Sequence, residues 1–260
     1  MRKLFAVLLF VLVGLVLPTL AQGQDLSNPK WALGLVAPQF AVGGGWTTQV
    51  ILKNTSPVVT QGVMGFGNQQ GFYAAVEVTD LTGGYDHQLS LSYNPGTLQP
   101  GEVRTVTLTL ASTTTLVGDI SLESLATVSG GNSVQFSVVY SLGNESATVV
   151  PVFPSSKFGF VDNAQAVRTG VAISSLNARA VVVSCVAQDL QGNQVTTATI
   201  SIVAGGQVAK YVDEFFTTLP STWAGGEIIC TSPSGPVAAM TIQETPNTIS
   251  GGPVFPLPMN

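Results

Sequence analysis

The sequence predicts an all-β protein of two tandem, related immunoglobulin-like or fibronectin-like β-sandwich domains after an N-terminal signal peptide. Short runs rich in Val, Ile, Thr and Phe alternate with Gly, Pro, Asn and Ser clusters, whereas helical i, i+3, i+4 patterns are scarce. Segments of the first half recur in the second half in the same order. The chain also begins with basic residues followed by an apolar run.

The N-terminus has the three parts of a secretory signal peptide. Arg2 and Lys3 precede an apolar run over 4–17, and a proline and small residues follow. The run is shorter than the roughly twenty residues that span a bilayer as a helix. We therefore predict a signal peptide over 1–21, cleaved after Ala21, and a secreted or cell-surface mature protein with no membrane span.

The charge pattern weighs against nucleic-acid binding. Fourteen residues are acidic and nine are basic, and two of the basic residues lie in the signal peptide. The remaining basic residues are scattered singly, whereas a polyphosphate partner rewards clustered Lys and Arg. The hydrophobic fraction of 45% is enough to build cores. The predicted partners are an extracellular glycan, a surface protein or another copy of the chain.

Strands are predicted where β-branched and aromatic residues alternate with polar ones between turn-forming clusters. This period of two is typical of sheets with one buried face. In chain order, the predicted strands are Thr48–Lys53, Val103–Leu110, Asp119–Glu123, Val134–Tyr140, Gly170–Ser174, Ala180–Ala187, Thr197–Val203, Glu227–Thr231 and Val237–Gln243.

An internal repeat divides the chain. Thr48–Asn54 aligns with Thr169–Ser175, and the Gln-Gly pair at Gln70 aligns with that at Gln191 at the same offset of 121. Three further matches follow in order: Pro100–Val103 with Gly205–Val208, Gly118–Leu122 with Gly226–Cys230, and Pro151–Pro154 with Pro253–Pro256. Five matches in one order indicate two homologous units.

The repeat sets the predicted domain boundaries. An apolar, Gly-rich lead occupies 22–45, the first sandwich 46–157 and the second sandwich 158–260. Each unit is about the size at which a sandwich closes its own core. The first unit carries an insertion at 72–88, which is either a functional loop or an additional edge strand with no partner. The lead either pairs as a first strand or docks on the sandwich.

The only two cysteines lie in the second unit. Cys185 aligns with Met64 and Cys230 with Leu122, so all four positions are predicted to face inward. Export favours a disulfide, here bridging the two sheets as in immunoglobulin domains. The loop of 45 residues corresponds to roughly 4 kcal/mol of stabilisation. Free buried thiols and intermolecular pairing remain alternatives.

The residues predict no enzyme, no cofactor and no metal site. The only histidine is His87, and its neighbour Asp86 would point to the opposite face of an extended strand, so it would not orient the imidazole. Asp119 and Glu227 are equivalent in the repeat and are interpreted as outward-facing residues rather than a catalytic pair. No Gly-x-Ser-x-Gly motif occurs.

Metal binding has one weak candidate. Adjacent acidic residues at Asp213 and Glu214 form the best local cluster, but no alternating Asp-x-Asp-x-Asp calcium loop is present. Two cysteines without paired histidines do not complete a structural zinc site. The sequence therefore predicts no bound metal.

The segment Gln39–Asn54 carries a resemblance. It reads as Phe, a glycine run, Trp-Thr-Thr and an alternating strand that ends in Asn. In this it resembles a group of uncharacterised secreted bacterial proteins with tandem immunoglobulin-like β-sandwich repeats and a GGGWTT-type opening strand. The likeness continues at the Gln-Gly turn, Pro100, Gly170 and 212–216. It implies tandem sandwiches at or beyond the cell surface and brings no activity or catalytic residues.

Three functions follow as hypotheses. The first is a non-enzymatic adhesive, binding or structural module, partly by analogy of fold. Aromatic and imidazole side chains near the insertion either form its ligand surface or pack an edge strand: Tyr73, Tyr85, His87 and Tyr93. The second is a filament or coat subunit whose lead, Trp31–Phe40, completes a neighbour's sheet. The third is a weak hydrolase that uses carboxylates such as Glu77 or Asp86.

Overall fold

The computed structural model describes residues 35–124, 134–149, 154–164, 168–175, 177–245 and 248–258. The predicted signal peptide at 1–21, the start of the lead and most of the Pro151–Pro154 match lie outside these residues. The described residues form β-strands with one short helix, which confirms the all-β prediction. No helix among them is long and apolar enough to cross a membrane.

The first half of the chain forms two antiparallel sheets around one core. Sheet 1 has the order β1-β9-β3-β6, with β7 also paired to β3, and sheet 2 has the order β11-β10-β2-β8-β4-β5. The strands are β1 (Leu35–Val42), β2 (Trp46–Asn54), β3 (Thr60–Asn68), β4 (Val76–Asp80), β5 (Tyr85–Ser90), β6 (Ser92–Tyr93), β7 (Thr97–Leu98), β8 (Val103–Thr109), β9 (Leu116–Ser124), β10 (Val134–Leu142) and β11 (Glu145–Val149).

The second half also forms two sheets around a core of its own. Sheet 3 has the order β15-β14-β17-β12-β20, and sheet 4 has the order β16-β13-β18-β19. The elements are β12 (Lys157–Asp162), β13 (Arg168–Ser174), β14 (Val181–Gln188), β15 (Gln194–Ile202), β16 (Gln207–Tyr211), the helix α1 (Val212–Phe215), β17 (Gly226–Thr231), β18 (Ala238–Thr245), β19 (Thr248–Gly252) and β20 (Val254–Pro256). Every strand predicted from the alternating pattern overlaps one of these strands.

The two halves correspond strand by strand. The order β1-β9-β3 in sheet 1 matches β12-β17-β14 in sheet 3, and β11-β10-β2-β8 in sheet 2 matches β19-β18-β13-β16 in sheet 4. An immunoglobulin sandwich places strands A, B, E and D on one sheet and C, F and G on the other. We assign β2, β3, β8 and β9 to strands B, C, E and F. The first strand, β1, then takes the position of strand G beside β9, and β10 takes the position of strand A beside β2.

The repeat extends to individual contacts. In the turn after β3, the Asn68 carboxamide oxygen accepts the backbone N–H of Gln70, and in the turn after β14 the Asp189 carboxylate accepts that of Gln191, both at 2.9 Å. Glycines also match: a Cβ on Gly118 would lie 1.9 Å from one strand carbonyl, and a Cβ on Gly226 would lie 2.0 Å from its equivalent. Both glycines therefore allow the same close approach of two strands.

The predicted lead is part of the first sandwich. Leu35–Val42 forms β1, which pairs with β9 and contributes Phe40 to the core. The sandwich thus begins before residue 46, and Lys157 already belongs to the second half because it opens β12. The insertion at 72–88 supplies β4 and most of β5, a hairpin that widens sheet 2 beyond β8.

The Cys185–Cys230 disulfide is confirmed, but its predicted position was wrong in one respect. The two cysteines are directly opposite each other on β14 and β17, within sheet 3, and so do not bridge two sheets. Met64 and Leu122 form the same opposite pair in sheet 1, as the repeat predicts, and all four side chains are buried. A disulfide indicates a protein outside the reducing cytosol.

The halves are joined through a buried sheet face. Val171 and Ile173 of β13 belong to the second core, whereas Ala172 of β13 and Met240 of β18 pack into the first core. The hydroxyl of Tyr140 on β10 lies 3.5 Å from the Met240 sulfur, across the boundary. The central strands of sheet 4, β13 and β18, are therefore covered on both faces.

Small side chains make this docking possible. The outward positions of β13 carry Gly170, Ala172 and Ser174. The equivalent positions of β2 carry Gln49, Ile51 and Lys53. Side chains of at most two heavy atoms let another sheet approach closely, whereas Lys53 remains exposed to solvent.

Candidate functional site

A cleft of about 250 Å³ opens where the two halves meet. Its lining comes from both sandwiches, so neither half forms the cleft alone. The lining residues are Gln39, Trp46, Leu142 and Glu145 from the first half and Gly170, Val171, Ala209, Lys210, Tyr211, Glu214, Ile242, Glu244 and Ile249 from the second half.

The glycine run before β2 positions Trp46. Gly43, Gly44 and Gly45 all have positive φ values, between 58° and 89°, which side chains other than glycine rarely adopt. The Trp46 N–H donates to the Gly43 carbonyl at 2.9 Å and closes the turn. The half-buried indole of Trp46 packs against the first core and forms part of the cleft wall. The Gly-Gly-Gly-Trp motif therefore forms the turn before β2 and also places Trp46 in the wall of the cleft.

Tyr211 is the second aromatic residue of the cleft and is held from two sides. Its hydroxyl donates to the Glu244 carboxylate, and the Arg168 guanidinium carbon lies 3.5 Å from its ring centroid. The hydrogen bond to Glu244, together with burial, raises the pKa of Tyr211 to about 12. The phenol is therefore a fixed neutral donor at physiological pH.

Asp213 and Glu214, the acidic pair considered as a metal site, form ion pairs with Arg168. Arg168 lies 3.3 Å from Asp213 and 3.4 Å from Glu214. Glu214 also accepts the backbone N–H of Tyr211 at 3.1 Å, an interaction that caps α1. These carboxylates fix the position of Arg168 over Tyr211.

The cleft combines apolar walls with polar groups at its rim. Leu142, Ile242 and Ile249 form apolar surface, and Gln39, Glu145 and Lys210 add an amide, a carboxylate and an ammonium group. Such a set of hydrogen-bonding groups around an apolar surface is the usual composition of a small-molecule site.

The predicted ligand surface near the insertion is only partly at the surface. Tyr93 is 1% exposed, and its hydroxyl donates to the buried carboxylate of Asp80. Burial, assisted by Asp80, raises the pKa of Tyr93 above its ordinary range. Tyr85 is half-buried, with its ring packed edge-on against Tyr93 at 4.8 Å between centroids. Tyr93 thus cannot contact a ligand, and Tyr85 mainly supports the hairpin.

Tyr73 and His87 are exposed but lie apart from the cleft lining. Tyr73 is 39% exposed, and His87 has a positive φ of 49° in β5. This left-handed backbone turns the imidazole so that it lies 3.8 Å from Asp86 and 3.8 Å from Glu77. The predicted opposite orientation applied to an extended strand. The backbone at His87 is left-handed instead, and the Asp86 carboxylate lies near the imidazole but beyond hydrogen-bonding distance.

Asp119 differs from its predicted surroundings. It faces away from the first core as expected, but it is 4% exposed because the second half covers it. Its carboxylate accepts the hydroxyl of Ser174, from sheet 4, and the backbone N–H of Gly67. Burial raises the pKa of Asp119 to about 6, against these hydrogen bonds. Glu227, its equivalent, remains partly exposed.

Sequence reasoning did not identify the cleft residues as a site. They are spread from Gln39 to Ile249, and only docking of the halves brings them together. The available signal was the replacement of large outward residues on β2 by small ones on β13. No protein-family model matches the chain, and comparison with curated proteins gave no significant match.

Proposed function

We propose that this chain is a secreted, non-enzymatic binding protein that holds one sugar unit of an extracellular glycan in the cleft between its two sandwiches. The observation that carries the proposal is the placement of Trp46 and Tyr211 in one cleft with amide, carboxylate and ammonium groups. Aromatic faces bind the apolar side of a sugar ring, and polar side chains bind its hydroxyls.

The volume and charge of the cleft limit which sugars would fit. Its volume of about 250 Å³ lies just below the ~300–1,000 Å³ usual for drug-sized ligands, which favours a single ring. The cleft lining contains three acidic residues, Glu145, Glu214 and Glu244, and one basic residue, Lys210. This balance favours neutral or amino sugars over acidic ones.

A glycan array tests the proposal with a variant that blocks the cleft. A Cβ on Gly170 would meet its nearest neighbours at 3.8 Å, so Gly170→Leu should fill the cleft without a backbone clash. We expect the unaltered protein to bind neutral or amino-sugar glycans and Gly170→Leu to lose at least tenfold in affinity, which is the loss of about 1.4 kcal/mol.

A second pair of variants separates the cleft from the hairpin surface. Trp46→Ala should weaken glycan binding, whereas Tyr73→Ala should leave it unchanged, because Tyr73 does not line the cleft. Equal binding by Gly170→Leu and the unaltered protein would refute the cleft as the site. Selective loss in Tyr73→Ala would favour the surface predicted from sequence instead.

The hydrolase hypothesis has weaker support. Glu214 and Glu244 are engaged by Arg168 and Tyr211, so they are poorly placed for proton transfer to a substrate. Glu145 is the remaining carboxylate in the cleft lining. Turnover of a bound glycan that disappears in Glu145→Gln would establish an enzyme in place of a binding protein.

A further inference from the structure

Strand β15 is an unusual sheet edge. It is nine residues long, ends sheet 3 and contains neither a charged residue nor a proline. Exposed edges of this kind present unpaired backbone groups and pair readily with another strand. Soluble proteins usually protect such edges with charges, prolines, bulges or short strands.

The other described edges carry such protection. In sheet 2, β5 contains Asp86 and His87 and is interrupted by a bulge against β4, and β11 packs on β19 of sheet 4. In sheet 1, β1 contains Pro38 and β6 has two residues. In the second half, β20 has three residues and β16 carries Lys210. Strand β15 has a bulge against β14 only near its first end, between Gln194 and Thr196, so the regular stretch 196–202 is the least protected edge among the described strands.

Among the described residues, no strand pairs with the outer side of β15. Ala198, Ile200 and Ile202 pack toward the second core, and Thr196, on the same face, contacts Thr218 at 2.5 Å. The opposite face carries Thr197, Thr199 and Ser201, all exposed. Exposed Leu190 and Val203 lie just beyond the two ends of the strand.

We propose that β15 pairs with β15 of a second copy of this chain in an antiparallel, two-fold symmetric dimer that joins two copies of sheet 3. A strand with no charge and with threonines on one face is self-complementary, since opposite Thr–Thr pairs are favourable across antiparallel strands. A two-fold axis at Ala198 pairs residues 196–200 of the two copies and places Thr197 of one copy opposite Thr199 of the other, while the bulge at Gln194 lies outside this paired stretch. This dimer is independent of the cleft.

The proposed association stops at two copies, and the dimer is weak. Only one open edge per chain takes part, so pairing ends at two copies and does not extend into a filament. A nine-residue strand spans about 30 Å, and its contact is small beside the ~1,200–2,000 Å² of stable interfaces. Association is therefore expected at high protein concentration, as at a crowded cell surface.

Sedimentation equilibrium of the mature chain over a wide concentration range tests the dimer. The unaltered protein should reach a dimer and no larger species. Thr197→Lys combined with Thr199→Lys places like charges opposite each other in both pairs and should raise the dimer dissociation constant about tenfold or more. Thr197→Lys combined with Thr199→Glu places opposite charges together and should restore the dimer.

Thr105→Lys is the matched control, because it adds a lysine at an exposed threonine of an interior strand, β8. It should leave the dissociation constant unchanged. A monomer at all concentrations would overturn the proposal and leave the edge to a strand of another protein. Filaments, or a dissociation constant that Thr197→Lys combined with Thr199→Lys leaves unchanged, would overturn it as well.

Discussion

The substitution Asp119→Asn tests whether the two halves are docked as described. Asp119 has an ordinary carboxyl pKa of 3.8 when exposed and about 6 in the buried boundary between the halves. The folded protein thus binds this proton more tightly than the unfolded chain, and its free energy of unfolding falls as pH rises from about 4 to about 6. Ionisation costs about 3 kcal/mol of stability above that range.

The assay is urea unfolding of both proteins at pH 4 and pH 7.5, followed by tryptophan fluorescence. Asp119→Asn removes the ionisation, so its stability relative to the unaltered protein should increase by about 2.5 kcal/mol between the two pH values. The control is Glu227→Gln at the equivalent, partly exposed position, where we expect less than about 0.5 kcal/mol. Equal pH dependence for Asp119→Asn and the unaltered protein would show that Asp119 is not buried by the second half.

Four further variants address the sandwiches. Gly118→Ala and Gly226→Ala should each lower the free energy of unfolding by about 1–3 kcal/mol or more, because the added Cβ would clash with a strand carbonyl; unchanged urea midpoints would contradict the close approach. Cys185→Met combined with Cys230→Leu copies the apolar pair of sheet 1 and should lower the free energy of unfolding by about 4 kcal/mol, because the cross-link is lost. Thermal unfolding under non-reducing conditions measures this loss, and an unchanged melting temperature would contradict it. Tyr93→Phe removes one of the two donors to the buried Asp80 carboxylate, the other being the Gly83 N–H, and should cost about 1.5–3 kcal/mol in urea unfolding. A neutral effect would contradict the hydrogen bond from Tyr93.

Local patterns predicted most of the fold. Alternation with period two identified strands because one face of each is buried, and the repeat at an offset of 121 identified equivalent turns and the Met64 and Cys185 positions. The position of the disulfide within one sheet was missed, since sequence does not show which strands are neighbours.

The repeat alignment slipped by one residue at β16. The repeat in the sequence pairs Val103 with Val208. In the structure Val103 lies opposite Lys53, and it is Gln207 that lies opposite Ser174, the equivalent of Lys53. Contact with the first half partly covers the outer face of β16, so alternation between polar and apolar residues no longer distinguishes its two faces.

The candidate site was beyond sequence reasoning for a related reason. Aromatic residues near the insertion were predicted either to bind a ligand or to pack an edge strand, and the structure buries Tyr93. Trp46 and Tyr211 are far apart in sequence and on different halves. Their proximity depends on the docking of sheet 4 against the first half.

The most direct test of the binding proposal is a hydrogen-exchange footprint of the glycan that gives the strongest array signal. Binding in the cleft should slow amide exchange in β11, over Glu145–Val149, and in β16 and α1, over Gln207–Phe215. The hairpin strand β5, over Tyr85–Ser90, should exchange at the same rate with and without the glycan. Slower exchange in β5 with no change at the cleft would contradict the account.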